Sequence, residues 1–245
     1  MQRRKVLRTT VLVAGGFSLL GCGKDDSSSA GDADPSFGGR KVSDGTAHFP
    51  QSVASGDPRE KSVILWTRVV DAKAEGALML MLEVALDDKF SMRVELGDAA
   101  TLRAERAHDG CVRVRVENLE PGTTYYYRFA YIQDDQALVS RTGRTKTAAA
   151  ADEDVAVNFA VASCQDYIGR YFHSYTHMAG QDLDFFVHLG DYVYETTGNP
   201  EFQSIAGKRK ITFGDTKGAI ELSAGEASYY AASAIDNYRD LYRTY

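Results

Sequence analysis

The sequence predicts two folded parts: an all-β sandwich, followed by the beginning of an α/β domain. Two patterns predict the sandwich and one predicts the change. Between His48 and Thr147, apolar and polar residues alternate in short runs. Turn residues such as Asp57-Pro58 and Pro121-Gly122 separate those runs at close intervals. Beyond the polar, Ala-rich stretch Thr147 to Asp154, the alternation gives way to near-continuous apolar runs flanking a helical stretch. That change is expected when a parallel sheet is covered on both faces.

The first residues read as an address. Arg3-Arg4 precede a moderately apolar run, Thr10 to Leu20, and the run ends at Leu19-Leu20-Gly21-Cys22. Residues 1–22 are therefore expected to be a twin-arginine (Tat) type signal peptide with a lipobox, in which Cys22 is lipidated. A general secretory signal and a plain cleavage site are the alternatives. Residues 23–47 are rich in Ser, Asp and Gly up to Gly39, a composition that favours a flexible linker. Together these predict an exported protein on a lipid anchor at the cell surface or in the periplasm, with the Tat machinery and the membrane as partners.

In the sandwich, residues 48–147, Ser62 to Arg68 is a strand after the turn Ser55-Gly56-Asp57-Pro58. Leu80, Leu82, Val84 and Leu86 mark a second strand. Val112, Val114 and Val116 mark a third, begun by Cys111, which is expected to be a small buried hydrophobe. The turn Glu120 to Thr123 leads into Tyr125 to Tyr131, whose rings fit one buried and one exposed row. Leu119, Pro121-Gly122-Thr123 and Tyr125 together resemble a fibronectin type III domain, in which such a Tyr locks the corner.

The net charge of −6 argues against a nucleic-acid-binding surface, which needs a basic face. An anionic substrate stays compatible, because a metal ion can supply positive charge locally. Three cysteines do not make a disulfide framework.

The second part, residues 155–245, opens with the apolar run Val155 to Ala162, which ends at Ser163-Cys164-Gln165. A helix over Tyr171 to Ala179 follows, then a strand from Asp184 to Leu189 that ends at Gly190-Asp191. This is a βαβ unit. Cys164 and Asp191 then lie just past the C-terminal ends of adjacent parallel strands, the edge where open α/β sheets bind ligands. Strands about 4.8 Å apart can hold one cation between a thiolate and a carboxylate. Tyr194 lies three residues on and can turn its oxygen over the same spot. His188, within the second strand, is expected to support the site by a hydrogen bond. His173 and His177 are expected to be surface or partly buried polar residues. Thiolate and phenolate together favour a trivalent or soft transition metal over magnesium.

Here a resemblance can be named. Gly190-Asp191-Tyr192-Val193-Tyr194 fits the G-D-x-x-Y signature of purple acid phosphatases and related calcineurin-like metallophosphatases. Ser163-Cys164-Gln165, His188 to Glu195, Ala54 to Pro58 and Val63 to Arg68 together resemble PhoD-type alkaline phosphatases. The resemblance implies hydrolysis of phosphate esters by metal-assisted in-line attack. It implies Fe(III) and Ca2+ as cofactors, with Cys164, Asp191 and Tyr194 as metal ligands. The family completes its site with His-containing motifs from later strands, and no histidine follows Glu195. Tyr238 to Tyr245 reads as an amphipathic helix without a C-cap glycine, and Pro200 to Gly225 as a loop with no firm fold. The expectation is a truncated catalytic domain, inactive on its own. Two rival readings are a membrane-tethered sandwich that binds ligands on its Tyr-rich face beside an inactive second domain, and a hydrolase with Cys164 as nucleophile.

Overall fold

Alternation builds the first half of the fold. The computed structural model describes residues 33–34, 37–201, 203 and 209–245, so Cys22 and the signal segment lie outside the described residues. The strands are β1 (Ala33–Asp34), β2 (Arg40–Asp44), β3 (Val53–Gly56), β4 (Val63–Arg68), β5 (Leu78–Ala85), β6 (Thr101–Ala104), β7 (Cys111–Val116), β8 (Thr124–Gln133), β9 (Gln136–Val139) and β10 (Gly143–Lys146). β3, β4 and β7 form one antiparallel sheet. The others form a second sheet in the order β1-β2-β9-β8-β5-β6, with β10 also paired to β8.

The two sheets share one core. Val63 and Leu65 of β4 and Val112 and Val116 of β7 meet Leu80, Leu82 and Val84 of β5 and Tyr127 and Phe129 of β8. Tyr125, Tyr127 and Tyr131 are buried and fill the core, while Tyr126 is half-buried. Leu119 is buried beside them, and the Tyr125 hydroxyl accepts the Glu120 N–H at 2.8 Å, which closes the corner. β10 crosses over the Tyr127 ring at Gly143, where a Cβ would stand 2.4 Å from ring carbon Cζ. No residue with a side chain fits that crossing.

The outer face of the larger sheet carries a buried carboxylate. Glu83 accepts Arg93 Nε at 2.7 Å and Arg128 Nε at 2.6 Å. The Arg128 guanidinium also lies over the Phe37 and Phe90 rings. Two arginines and an aromatic cover offset the desolvation of this charge.

Several expectations need correction here. The later part of residues 23–47 is not a free linker: β2 pairs in parallel with β9, and Phe37 is fully buried against Ala130 and Ala137. Backbone pairing and one buried ring order a segment whose composition is otherwise that of a linker. Ser55 and Gly56 belong to β3, and the chain reverses only after them. Cys111 is half-buried rather than buried. Its thiol is pushed up, by burial first and then by the neighbouring Asp109 charge.

The second half holds β11 (Phe159–Ala162), α1 (His173–Ala179), β12 (Phe185–His188), β13 (Ile220–Ala224), β14 (Ala227–Ala231) and α2 (Ile235–Thr244). β11 and β12 pair in parallel, with Ala162 opposite His188. β11 begins later than the apolar run suggests, because the Asp184 carboxylate takes the Asn158 N–H at 2.8 Å before the ladder starts. Lys146 of β10 binds the same carboxylate at 2.6 Å and ties this pair to the sandwich. Residues 220–231, expected in part to be loop, form the antiparallel hairpin β13–β14. Its two-residue turn starts at Gly225 with φ 58°, a conformation glycine adopts at no steric cost. No helix among the described residues is long and apolar enough to cross a membrane.

Candidate metal centre

The ladder between β11 and β12 continues beyond both strands. Leu189 N–H donates to Ala162 O at 2.9 Å, Cys164 N–H to Gly190 O at 3.1 Å, and Gln165 N–H to Asp191 O at 2.8 Å. These bonds carry the chain through a narrow conformational gate. Cys164 has φ 61°, Gly190 φ 127° and Asp191 φ 53°. A left-handed conformation is unfavourable for a residue with a Cβ, and Cys tolerates it less readily than Asp. Here the cross-strand bonds over-determine it, as is common where a site needs side chains aimed in one direction.

The result is convergence. The Cys164 thiol donates to Asp191 Oδ2 with Sγ and oxygen 3.3 Å apart. Tyr194 lies close enough to interact with both groups. Its phenol is pushed up to about 12, first by its hydrogen bond with Cys164, then by burial and the charges of Cys164, Asp191 and Asp166. The structure thus brings Cys164 and Asp191 into contact and sets Tyr194 within electrostatic reach of both.

This donor set fits a metal. Thiolate and carboxylate donors at about 2.3 and 2.1 Å from one ion, at an ordinary ligand angle, lie about 3.1–3.6 Å apart. The separation of 3.3 Å falls in that range. Cys164, Asp191 and Tyr194 could hold such an ion. Among the described residues, no cluster of three or more His, Cys, Asp or Glu gathers to hold a metal.

His188 Nδ1 accepts the Gly190 N–H at 3.3 Å and so supports the turn that places Asp191. Its Nε2 is buried without a partner among the described residues. His173 and His177 are exposed on α1. A cavity of about 290 Å³ opens beside Cys164, lined by Arg170, Tyr171, Phe172 and Tyr175 among others. A larger cavity, about 690 Å³, lies between Ser55–Pro58 and Phe185–Phe186 and does not include the Cys164–Asp191 pair. Of these two cavities, only the smaller is lined by Cys164.

Residues that support this centre were not visible in the sequence. The Tyr245 hydroxyl accepts the Tyr194 N–H at 3.2 Å, and the Tyr245 ring lies 5.4 Å from Tyr167. These partners are far apart in the chain, and no local pattern marks them.

Two family descriptions match the chain. The "PhoD-like phosphatase, N-terminal domain" covers residues 34–149, and the "PhoD-like phosphatase" covers residues 159–245. The chain belongs to the PhoD-like phosphatases. It is similar to alkaline phosphatase D of Bacillus subtilis (strain 168), 40% identical over 154 residues that make up 60% of this chain and 25% of that one. It is also similar to a solved structure of PhoD at 34% identity, with a TM-score of 0.63, over 81% of this chain and 35% of that one. The matches thus span about a quarter to a third of the relatives' own length.

Proposed function

We propose that this chain contributes the sandwich and the first metal ligands of a PhoD-type phosphatase that hydrolyses phosphate esters. The observation that carries the reading is the 3.3 Å approach of Cys164 to Asp191 at the ends of two parallel strands, in a chain of the PhoD-like family. Residues 48–147 act as a fibronectin type III-like sandwich, supported by the Tyr125 corner. Residues 155–245 act as the start of an α/β metallophosphatase domain, supported by the parallel β11–β12 pair.

Cys164, Asp191 and Tyr194 would hold Fe(III), and Asp191 would share a companion Ca2+. Such ions supply Lewis acidity to the phosphoryl oxygens and lower the pKa of water. The chain's own part is to aim the ligands. Hydrogen-bonded positive-φ positions fix Cys164 and Asp191 before any ion binds. Tyr171, Phe172 and Tyr175 would face the organic part of an ester, and Arg170 the phosphate charge. Calcium takes six to eight oxygens, so its binding here would be weak without further ligands. Export by the Tat route and lipid anchoring at Cys22 belong to the same proposal, supported by Arg3-Arg4 and Leu19 to Cys22.

The test is a chimaera in which residues 37–245 replace the matching part of the B. subtilis relative. Turnover of a chromogenic phosphomonoester at alkaline pH is expected, with loss in Asp191→Asn. A folded, iron-loaded chimaera without turnover would contradict the proposal.

A further inference from the structure

We propose that Asp109, on the β-sandwich, is a positioning residue for Tyr194, acting through α2 and the Tyr245 hydroxyl. The proposal rests on the metal-centre reading of Tyr194 and gives the sandwich a role in that centre.

The linkage is continuous in hydrogen bonds. Asp109 lies in the turn before β7, with φ 55°. Its carboxylate receives two arginine forks. Arg68 of β4 donates Nε to Oδ2 at 3.1 Å and Nη2 to Oδ1 at 3.1 Å. Arg243, in the last turn of α2, donates Nε to Oδ2 at 2.9 Å and Nη2 to Oδ1 at 3.1 Å. Gln51 closes the ring, accepting Arg68 Nη1 at 3.1 Å and donating to the Arg243 carbonyl at 2.7 Å. An exposed ion pair alone contributes little, but bidentate forks joined in a network hold a geometry.

α2 then reaches both ligand loops. Leu241 is fully buried with Ile168, four residues past Cys164. Tyr245 continues the helix, its N–H on Leu241 O at 2.9 Å. Its ring lies against Tyr167, and its hydroxyl accepts the Tyr194 N–H at 3.2 Å. The sandwich thus grips the end of a helix whose next residues hold the Tyr194 backbone. Partners that orient a metal ligand commonly change metal affinity about 10- to 100-fold when removed.

The experiment uses the 245-residue chain with Tyr245→Phe, Asp109→Asn, Arg243→Gln and the Asp109→Asn/Arg243→Gln double variant. Asn tolerates the left-handed conformation at position 109, so that change removes charge without adding strain. Arg239→Gln is the control, because Arg239 pairs only with Asp236 of its own helix among the bonds described. The first readout, on metal-free protein, is hydrogen exchange at the Tyr194 amide. Exchange should speed up by about tenfold in Tyr245→Phe. It should speed up several-fold in Asp109→Asn and Arg243→Gln, no further in the double variant, and not at all in the control. The second readout is Fe(III) affinity, expected to fall about tenfold in the same variants. Parental exchange at Tyr194 in both Asp109→Asn and Arg243→Gln would overturn the proposal. Coupled exchange in a parent chain that binds no Fe(III) through Tyr194 would support the brace and overturn the metal-centre reading beneath it.

Discussion

Cys164 Sγ and Asp191 Oδ2 stand 3.3 Å apart across the ends of two parallel strands, and each residue sits in a left-handed backbone conformation. Neither residue could point this way from a regular strand, where side chains alternate between faces. The strands set the spacing, and the turns that leave them set the aim.

Gly190 tests that aim. Its φ is 127°, and a Cβ there would meet nothing within 4 Å. Gly190→Ala therefore acts through the backbone alone. It should cost about 1–3 kcal/mol of stability, measured by urea denaturation, and weaken Fe(III) binding because Asp191 follows directly. A variant with parental stability and parental iron affinity would show that the turn is not strained toward the site.

Glu83 tests the packing of the sandwich. Its side chain is 5% exposed, against 17% for Arg128. Glu83→Gln would leave the Arg128 charge poorly compensated and should cost about 3 kcal/mol. Arg93, at 39% exposed, contributes less. Thermal unfolding of Glu83→Gln, Arg128→Met and the double Glu83→Gln/Arg128→Met measures this, and the double should recover part of the loss.

Asp184 gives a pH dependence. The Lys146 ammonium and then the Asn158 N–H hold its carboxyl below the ordinary 3.8. A carboxyl with a lowered folded pKa adds stability above its unfolded value, and that stability is lost as pH falls through the folded value. Unfolding free energy should therefore decline as pH drops below about 4. Asp184→Asn should flatten that decline, and a variant with the parental acid slope would contradict it.

Much of this was legible in the sequence. Leu80, Leu82 and Val84 announce β5 by period alone, and Gly190-Asp191 after an apolar run announces a strand end. The hairpin β13–β14 was not, because Gly225-Glu226 is a weak turn signal next to polar, Gly-rich residues. β2 was not, because a strand added by backbone pairing to β9 needs little from its side chains. Asp109 and Arg243 were invisible for a plainer reason. Ion pairs between residues 134 positions apart leave no local pattern. The three ligand candidates were legible because each sits at a fixed offset from a strand end, where topology alone makes them neighbours.

Under the proposed function, Cys164, Asp191 and Tyr194 would hold one ferric ion. The most direct measurement is the visible spectrum of the Fe(III)-loaded chain beside its Tyr194→Phe variant. A phenolate-to-iron charge-transfer band is expected in the parent and none in the variant. A loaded parent without a band, or a band that survives in Tyr194→Phe, would contradict it.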